Sequence, residues 1–136
     1  MTTIADAQQE IVDEFSLFED WQDKYAHLIE LGRELEPIPE DFKDEEHKVK
    51  GCQSQVWLHV TPQDERLHLQ AESDALIVQG LIALLLRVYQ DRTPQEILDT
   101  KLSFLEEIGL LSHLSMNRTN GLRSMINSIR AHAAAA

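Results

Sequence analysis

Residues 76–89 (LIVQGLIALLLRVY) are apolar at nearly every position and leave no continuous polar face for solvent. A surface helix buries one stripe, whereas a helix that is apolar all round has to be covered on several sides. This segment therefore predicts a central helix, around which the remaining chain must supply the layers. The longest apolar run, residues 75–86, is interrupted by Gln79 and is shorter than the roughly 20 residues of a bilayer span. Ser73 or Asp74 stands where the N-cap of this helix belongs, an interaction worth about 1 kcal/mol.

Before it, Ile4, Ala7, Ile11 and Phe15 recur at helical spacing. Ser16 and Glu19 have the spacing of a capping box and predict a second helix start, with Phe18, Trp21, Tyr25, Leu28 and Leu35 along one stripe. Gly32 falls near the end of that helix, and Pro37 and Pro39 stop the pattern. Residues 41–48 are charged and read as a loop or a single helical turn.

Residues 55–61 and 66–70 carry the alternation and β-branched or aromatic content of strands, with residues 62–65 as the turn between them. They predict an antiparallel hairpin, to which residues 47–50 could add a short third strand. After the central helix, Thr93-Pro94-Gln95-Glu96 and Ser103-Phe104-Leu105-Glu106 read as capping boxes, and Gly109 as a helix stop. Residues 117–133 place Leu122, Met125, Ile126 and Ile129 on one face of a last helix. Asn120-Gly121, ordinarily a hairpin signal, belongs to its entry because no strand pattern follows. The expected fold is α+β: a small antiparallel sheet of two to three strands packed against several helices, in a single domain spanning residues 1–136.

The chain has one cysteine, Cys52, so it cannot close an internal disulfide or build a metal cluster from thiolates. The formal net charge of −12 opposes binding to nucleic acid and suits steering toward a basic protein surface, or solubility alone. The N-terminal residues lack the basic and apolar regions of a signal peptide, and a reducing cytoplasm is the expected setting. No membrane association is expected.

Cys52 lies in Val49-Lys50-Gly51-Cys52-Gln53-Ser54-Gln55-Val56-Trp57. A packing cysteine is normally flanked by apolar residues, but this one has glycine, lysine and amide neighbours. Nearby lysines favour the thiolate that does nucleophilic chemistry. On the residues alone, a structural cysteine and a reactive thiol both stay open.

The string Gly-Cys-Gln-Ser-Gln-Val-Trp resembles the signature of the SufE family, sulfur acceptors for cysteine desulfurases in iron–sulfur cluster assembly. Residues 25–32 (YAHLIELG), 73–85 (SDALIVQGLIALL) and 118–122 (RTNGL) match in the same order, so the resemblance runs from about Phe18 to Arg130. It implies a SufE/IscU-like fold and a persulfide carried on Cys52. It also implies a SufS-like, pyridoxal-phosphate-dependent donor that the carrier stimulates, and a SufBCD-like scaffold as acceptor. A CsdE-like acceptor for a different desulfurase is the near alternative, although Gln53-Ser54-Gln55 looks more like SufE proper. Such a carrier works with a partner enzyme and needs no cofactor of its own.

Within this reading, Gly51 is the expected hinge of a loop that shields the thiol until docking. Gln53 and Ser54 are the expected hydrogen-bond donors to the sulfur anion, and replacing Gly51 with valine should slow transfer more than it destabilises the fold. Asp74 and Arg118 also lie in family-like stretches, Asp74 most simply as an N-cap and Arg118 bracing the loop or contacting the desulfurase. The family commonly has Pro-Ser ahead of this arginine, where this chain has Met116-Asn117. The six histidines show no metal-ligand spacing and predict no metal site, although His47 is near enough in sequence to assist Cys52. Competing classes are a cluster scaffold, for which one cysteine is a poor ligand set, an interaction domain with a structural cysteine, and a thiol hydrolase. The sequence is compatible with a homodimer.

Overall fold

The apolar segment forms the helix its composition predicts, with the same ends. In the computed structural model, which describes residues 3–136, the order is α1 (Ile4–Phe15), α2 (Trp21–Arg33), β1 (Val56–Gln63), β2 (Arg66–Ser73), α3 (Leu76–Tyr89), α4 (Pro94–Asp99), α5 (Phe104–Glu107) and α6 (Met116–Ala135). Short 3-10 turns lie at Glu40–Phe42 and Leu111–His113. Helix α3 packs against α1, α2, α6 and β2, and the run from Gly80 to Leu85 is buried without a break. No helix among the described residues is long and apolar enough to cross a membrane.

Helices α2 and α3 approach closely at two glycines. A Cβ on Gly80 would lie 2.3 Å from the Leu28 carbonyl oxygen, and one on Gly32 2.7 Å from the Gly80 nitrogen. Gly32 therefore sets a helix crossing as well as marking a helix end.

β1 and β2 pair antiparallel from Val56↔Ser73 to Gln63↔Arg66. Leu67, Leu69, Ala71 and Ser73 are buried along one face of β2, which lies against α3. The turn is tighter than the expected residues 62–65: Pro62 and Gln63 stay in the strand, and Asp64 (φ 52°) and Glu65 (φ 66°) alone reverse the chain. Two positive φ values give the mirror-image turn whose twist matches that of the strands. For Glu65 the left-handed backbone costs about 1–2 kcal/mol. The expected third strand reduces to one bridge, Lys48↔Trp57.

Two of the expected helix starts are made differently. Helix α2 begins at Trp21, where the Asp20 carboxylate accepts the Asp23 N–H (2.9 Å). Ser16 instead closes α1 in an αR backbone, its hydroxyl donating to the Asp13 carbonyl (2.7 Å), so it lacks the extended geometry that an N-cap needs. Ser103 is also in αR, and the start of α5 is satisfied from a distance. The buried Gln8 of α1 accepts the Phe104 N–H (3.2 Å) and donates to the Lys101 carbonyl (3.1 Å). The Thr93–Glu96 box forms as expected, with Pro94 in the first turn. Helix α6 docks on α4 through Arg130, which donates to the carbonyls of Ile97 (3.1 Å), Leu98 (3.1 Å) and Thr100 (3.4 Å).

Candidate functional site

The bridge beside β1 closes the base of a short loop. The Val49 N–H donates to the Val56 carbonyl (2.8 Å) and the Leu58 N–H to the His47 carbonyl (2.9 Å). Between them the chain reverses through residues 50–55, with Cys52 in the turn. Gly51 makes the reversal with φ +86°, in the left-handed region that glycine enters without strain. A Cβ at this position would also stand 2.6 Å from the Ser124 Oγ on α6. The expected valine substitution therefore strains the fold as well as the loop.

The loop lies over the first turns of α6. Cys52 is half-buried, and its thiol donates to the Gly121 carbonyl (Sγ···O 3.6 Å). It borders a cavity of about 260 Å³ that Gln53 and Ser54 also line, together with Arg118 and Asn117 from the start of α6. Apolar walls come from Val78 and Leu81 of α3 and from Leu122 and Met125 of α6. Gln53 and Ser54 share this cavity with Cys52, while the hydrogen bond of the thiol goes to the Gly121 backbone carbonyl. No histidine lines this cavity among the described residues. His47 instead turns toward Asp44, donating Nδ1–H to its carboxylate (2.8 Å).

The electrostatics differ from what the flanking lysines suggest. Lys48 and Lys50 both pair with Glu45, at 3.5 and 3.7 Å. Burial pushes the Cys52 thiol above its ordinary value, because a thiolate loses hydration there without gaining a charge partner. In this conformation Cys52 is a protected thiol.

Asp74 is not the N-cap of α3. Ala75 takes that position, with no side-chain cap, and the Ser73 hydroxyl accepts the Ala75 N–H (3.2 Å). The Asp74 carboxylate instead accepts the Gln55 N–H (3.1 Å), and the Asp74 N–H donates to the Gln55 carbonyl (3.3 Å). Gln55 sits at the open end of the hairpin, so Asp74 satisfies both of its backbone groups and ties down the exit of the cysteine loop. Arg118 lies in the first turn of α6, its N–H capped by the Ser115 hydroxyl (3.2 Å). The side chain is exposed at the rim of the cavity and has no carboxylate partner among the described residues.

Residues 9–133 match the family described as "SufE: Fe-S metabolism associated domain". The chain belongs to the SufE family. It is 44% identical over 131 residues to an uncharacterized SufE-like protein of Rhizobium meliloti strain 1021, covering 91% of this chain and 92% of that one. It is 42% identical over 130 residues to another from Rhizobium etli, covering 91% and 87%. A solution structure of a hypothetical protein from Thermus thermophilus superposes with a TM-score of 0.78 at 18% identity, covering 99% of this chain and 97% of that one. The expected α+β architecture is thus present both in this chain and in that distant neighbour.

Seen as a SufE domain, the site is spread over three parts of the chain. Cys52, Gln53, Ser54 and Arg118 share one cavity, Gly51 shapes the turn beside it, and Asp74 acts from outside. Sequence reasoning missed Gly121 and Ser124, on which the loop rests. The available signal was Gly121 itself, since a glycine inside a helix costs about 1 kcal/mol against alanine and calls for a packing reason. The departure at Met116-Asn117 leaves the helix start regular: Met116 is exposed and Asn117 lines the cavity.

Proposed function

We propose that this SufE-family protein carries sulfur as a persulfide on Cys52. The thiolate attacks the outer sulfur of a persulfide on a pyridoxal-phosphate-dependent, SufS-like cysteine desulfurase. The donor's S–S bond breaks, its cysteine leaves as thiolate, and Cys52 becomes Cys–S–SH with no net change in oxidation level. Clearing the donor in this way stimulates it, and a SufBCD-like scaffold receives the sulfur. One thiol suffices, because sulfur enters and leaves through the same atom.

The observation that carries this reading is the setting of Cys52. It lies on a short loop, half-buried against a cavity with apolar walls and the cation of Arg118 at the rim. Burial protects a thiol from overoxidation between transfers. Docking that lifts the loop would restore the thiolate, and Arg118 is placed to meet a persulfide anion or a carboxylate of the partner.

The raised thiol and its contact with Gly121 also suit a second reading, a cysteine used only for packing. Intact mass after incubation with a cysteine desulfurase, pyridoxal phosphate and cysteine separates the two, with Cys52→Ser as control. A gain of about 32 Da that reductant removes, confined to the wild-type chain, supports transfer, since two added oxygens would survive reduction. No gain with either a SufS-like or a CsdE-like desulfurase, each active on its own substrate, would leave the packing role.

A further inference from the structure

Beyond Cys52, along β1 and α6, lies a second cavity of about 250 Å³. His47, His59 and His132 all line it, with Glu46 at its edge. They come from the arm before the cysteine loop, from β1 and from the end of α6, so their sequence spacing carries no metal-ligand pattern. The fold alone brings them together.

Two of the three rings have one nitrogen fixed by a hydrogen bond. The Asp44 carboxylate accepts from both the backbone N–H (2.9 Å) and the Nδ1–H (2.8 Å) of His47, which leaves its Nε2 lone pair free. His132 donates Nδ1–H to the Ser128 carbonyl (2.9 Å), with the same result. A carboxylate or carbonyl on the far nitrogen is the usual way a ligating imidazole is fixed. The His59 ring stacks on Phe42 (centroids 3.7 Å apart) and has no hydrogen-bond partner among the described residues.

The spacing also fits. Two imidazoles on one tetrahedral ion, each with a metal–nitrogen bond of about 2.0–2.1 Å, hold their ring centres about 5 Å apart. The centres of His47 and His59 are 5.0 Å apart, at an interplanar angle of 58°. Ligand atoms of Asp44, Glu46 and His47 lie within 4.8 Å of one another, which puts the Glu46 carboxylate beside His47, while His59 and His132 stand outside that group. Lys48, a cation in the lining, pairs with Glu45 (3.5 Å).

We propose that His47, His59 and His132, with the Glu46 carboxylate as fourth ligand, form a binding site for a divalent transition metal ion of the zinc class, with Asp44 positioning His47. Three imidazoles and one carboxylate select zinc, cobalt, nickel or ferrous ions over calcium and magnesium. Closure turns the exposed Glu46 and His132 side chains toward the rings of His47 and His59, and His132 exchanges its bond to the Ser128 carbonyl for the ion. A bound ion joins the arm that leads into Gly51 and Cys52 to β1 and to α6.

The test is titration of the tag-free full chain with Zn²⁺ by calorimetry and with Co²⁺ by visible absorption. The proteins are wild type, Cys52→Ser, His59→Gln, His132→Gln and the double histidine variant, with His68→Gln as control. His68 lies on β2, pairs with Asp91 (3.2 Å) and does not line the cavity. His132 is exposed in the last turn of α6, so its substitution leaves the core intact. One ion per chain is expected, with cobalt d–d bands and no thiolate charge-transfer band. Each cavity variant should weaken binding at least about tenfold, while His68→Gln and Cys52→Ser bind as wild type does. No binding, full binding by the double variant, or binding lost in Cys52→Ser would each overturn the proposal.

Discussion

The Cys52 sulfur sits 3.6 Å from the Gly121 carbonyl oxygen, and a Cβ on residue 121 would stand 3.7 Å from that sulfur. The loop therefore rests on bare helix backbone, close enough to desolvate the thiol and with no charge to compensate. Lone thiols on polar loops are usually read as activated. Here the contact with α6 works the other way.

This sets the expected reactivity. Burial raises the folded-state pKa of Cys52, so at neutral pH the thiolate is scarcer in the native chain than in the unfolded one. Alkylation by iodoacetamide should be slower for native protein than for the same protein in urea. Its rate–pH profile should have its midpoint at higher pH than in the unfolded chain. An equal or lower native midpoint would mean that the loop does not hold the sulfur as described.

Gly51 and Ser124 should be energetically coupled. Gly51→Ala forces alanine into the left-handed region, at about 1–2 kcal/mol, and drives its Cβ to 2.6 Å from the Ser124 Oγ. In a Ser124→Ala background that oxygen is gone and the nearest remaining atom of residue 124, its Cβ, lies 3.5 Å away, an ordinary contact. Gly51→Ala should then cost at least about 0.5 kcal/mol less than in the wild type, a coupling within the usual range for touching residues. Urea denaturation of the four proteins measures it, and additive costs would show that the loop does not lie on Ser124.

Asp74 should govern the cysteine loop more than it governs the helix it precedes. Asp74→Ala removes the acceptor of the Gln55 N–H at an exposed position, a loss of about 1 kcal/mol or less. The expected result is a small change in unfolding midpoint, faster amide exchange at Gln55 and several-fold faster alkylation of Cys52. Unchanged exchange and alkylation would count against a tie between Asp74 and the loop.

The parts of this fold that were legible in sequence are those where pattern and structure share one cause. The bounds of α3 follow from a segment apolar at nearly every position, and the start of α4 from a Thr-Pro-x-Glu box whose bonds are all local. Ser16 and Ser103 carry the same spacing, yet in one case Asp20 is the better cap and in the other Gln8 reaches across from α1. A local motif cannot anticipate a competitor supplied by the tertiary fold. The same holds at the site. Glycine and polar residues around Cys52 announce a loop, but its resting place on Gly121, the capture of Lys48 and Lys50 by Glu45, and the tie from Asp74 to Gln55 depend on which surfaces meet. The charge argument for a thiolate counted the lysines without counting the glutamate that pairs with them.

Glu14 should make stability depend on acid pH. Its carboxylate joins three helices, accepting from Arg87 of α3 (3.0 Å) and pairing with His27 of α2 (2.7 Å). Partial burial acts to raise its pKa, but the hydrogen bonds and charges of His27 and Arg87 outweigh it and hold the value below the ordinary glutamate range. A carboxylate whose pKa is lowered on folding stabilises the native state above its unfolded value, about 4.3. That stability is lost as pH falls through the lower, folded value. With both partners of the ion pair about one-third exposed, the neutral-pH contribution is about 1 kcal/mol. Glu14→Gln should therefore lower the unfolding midpoint near pH 7 by roughly 3 °C. The gap from wild type should close as pH drops below about 4. A gap that persists where the carboxyl is protonated in both folded and unfolded chains would assign the effect to packing at the α1–α3 contact rather than to charge.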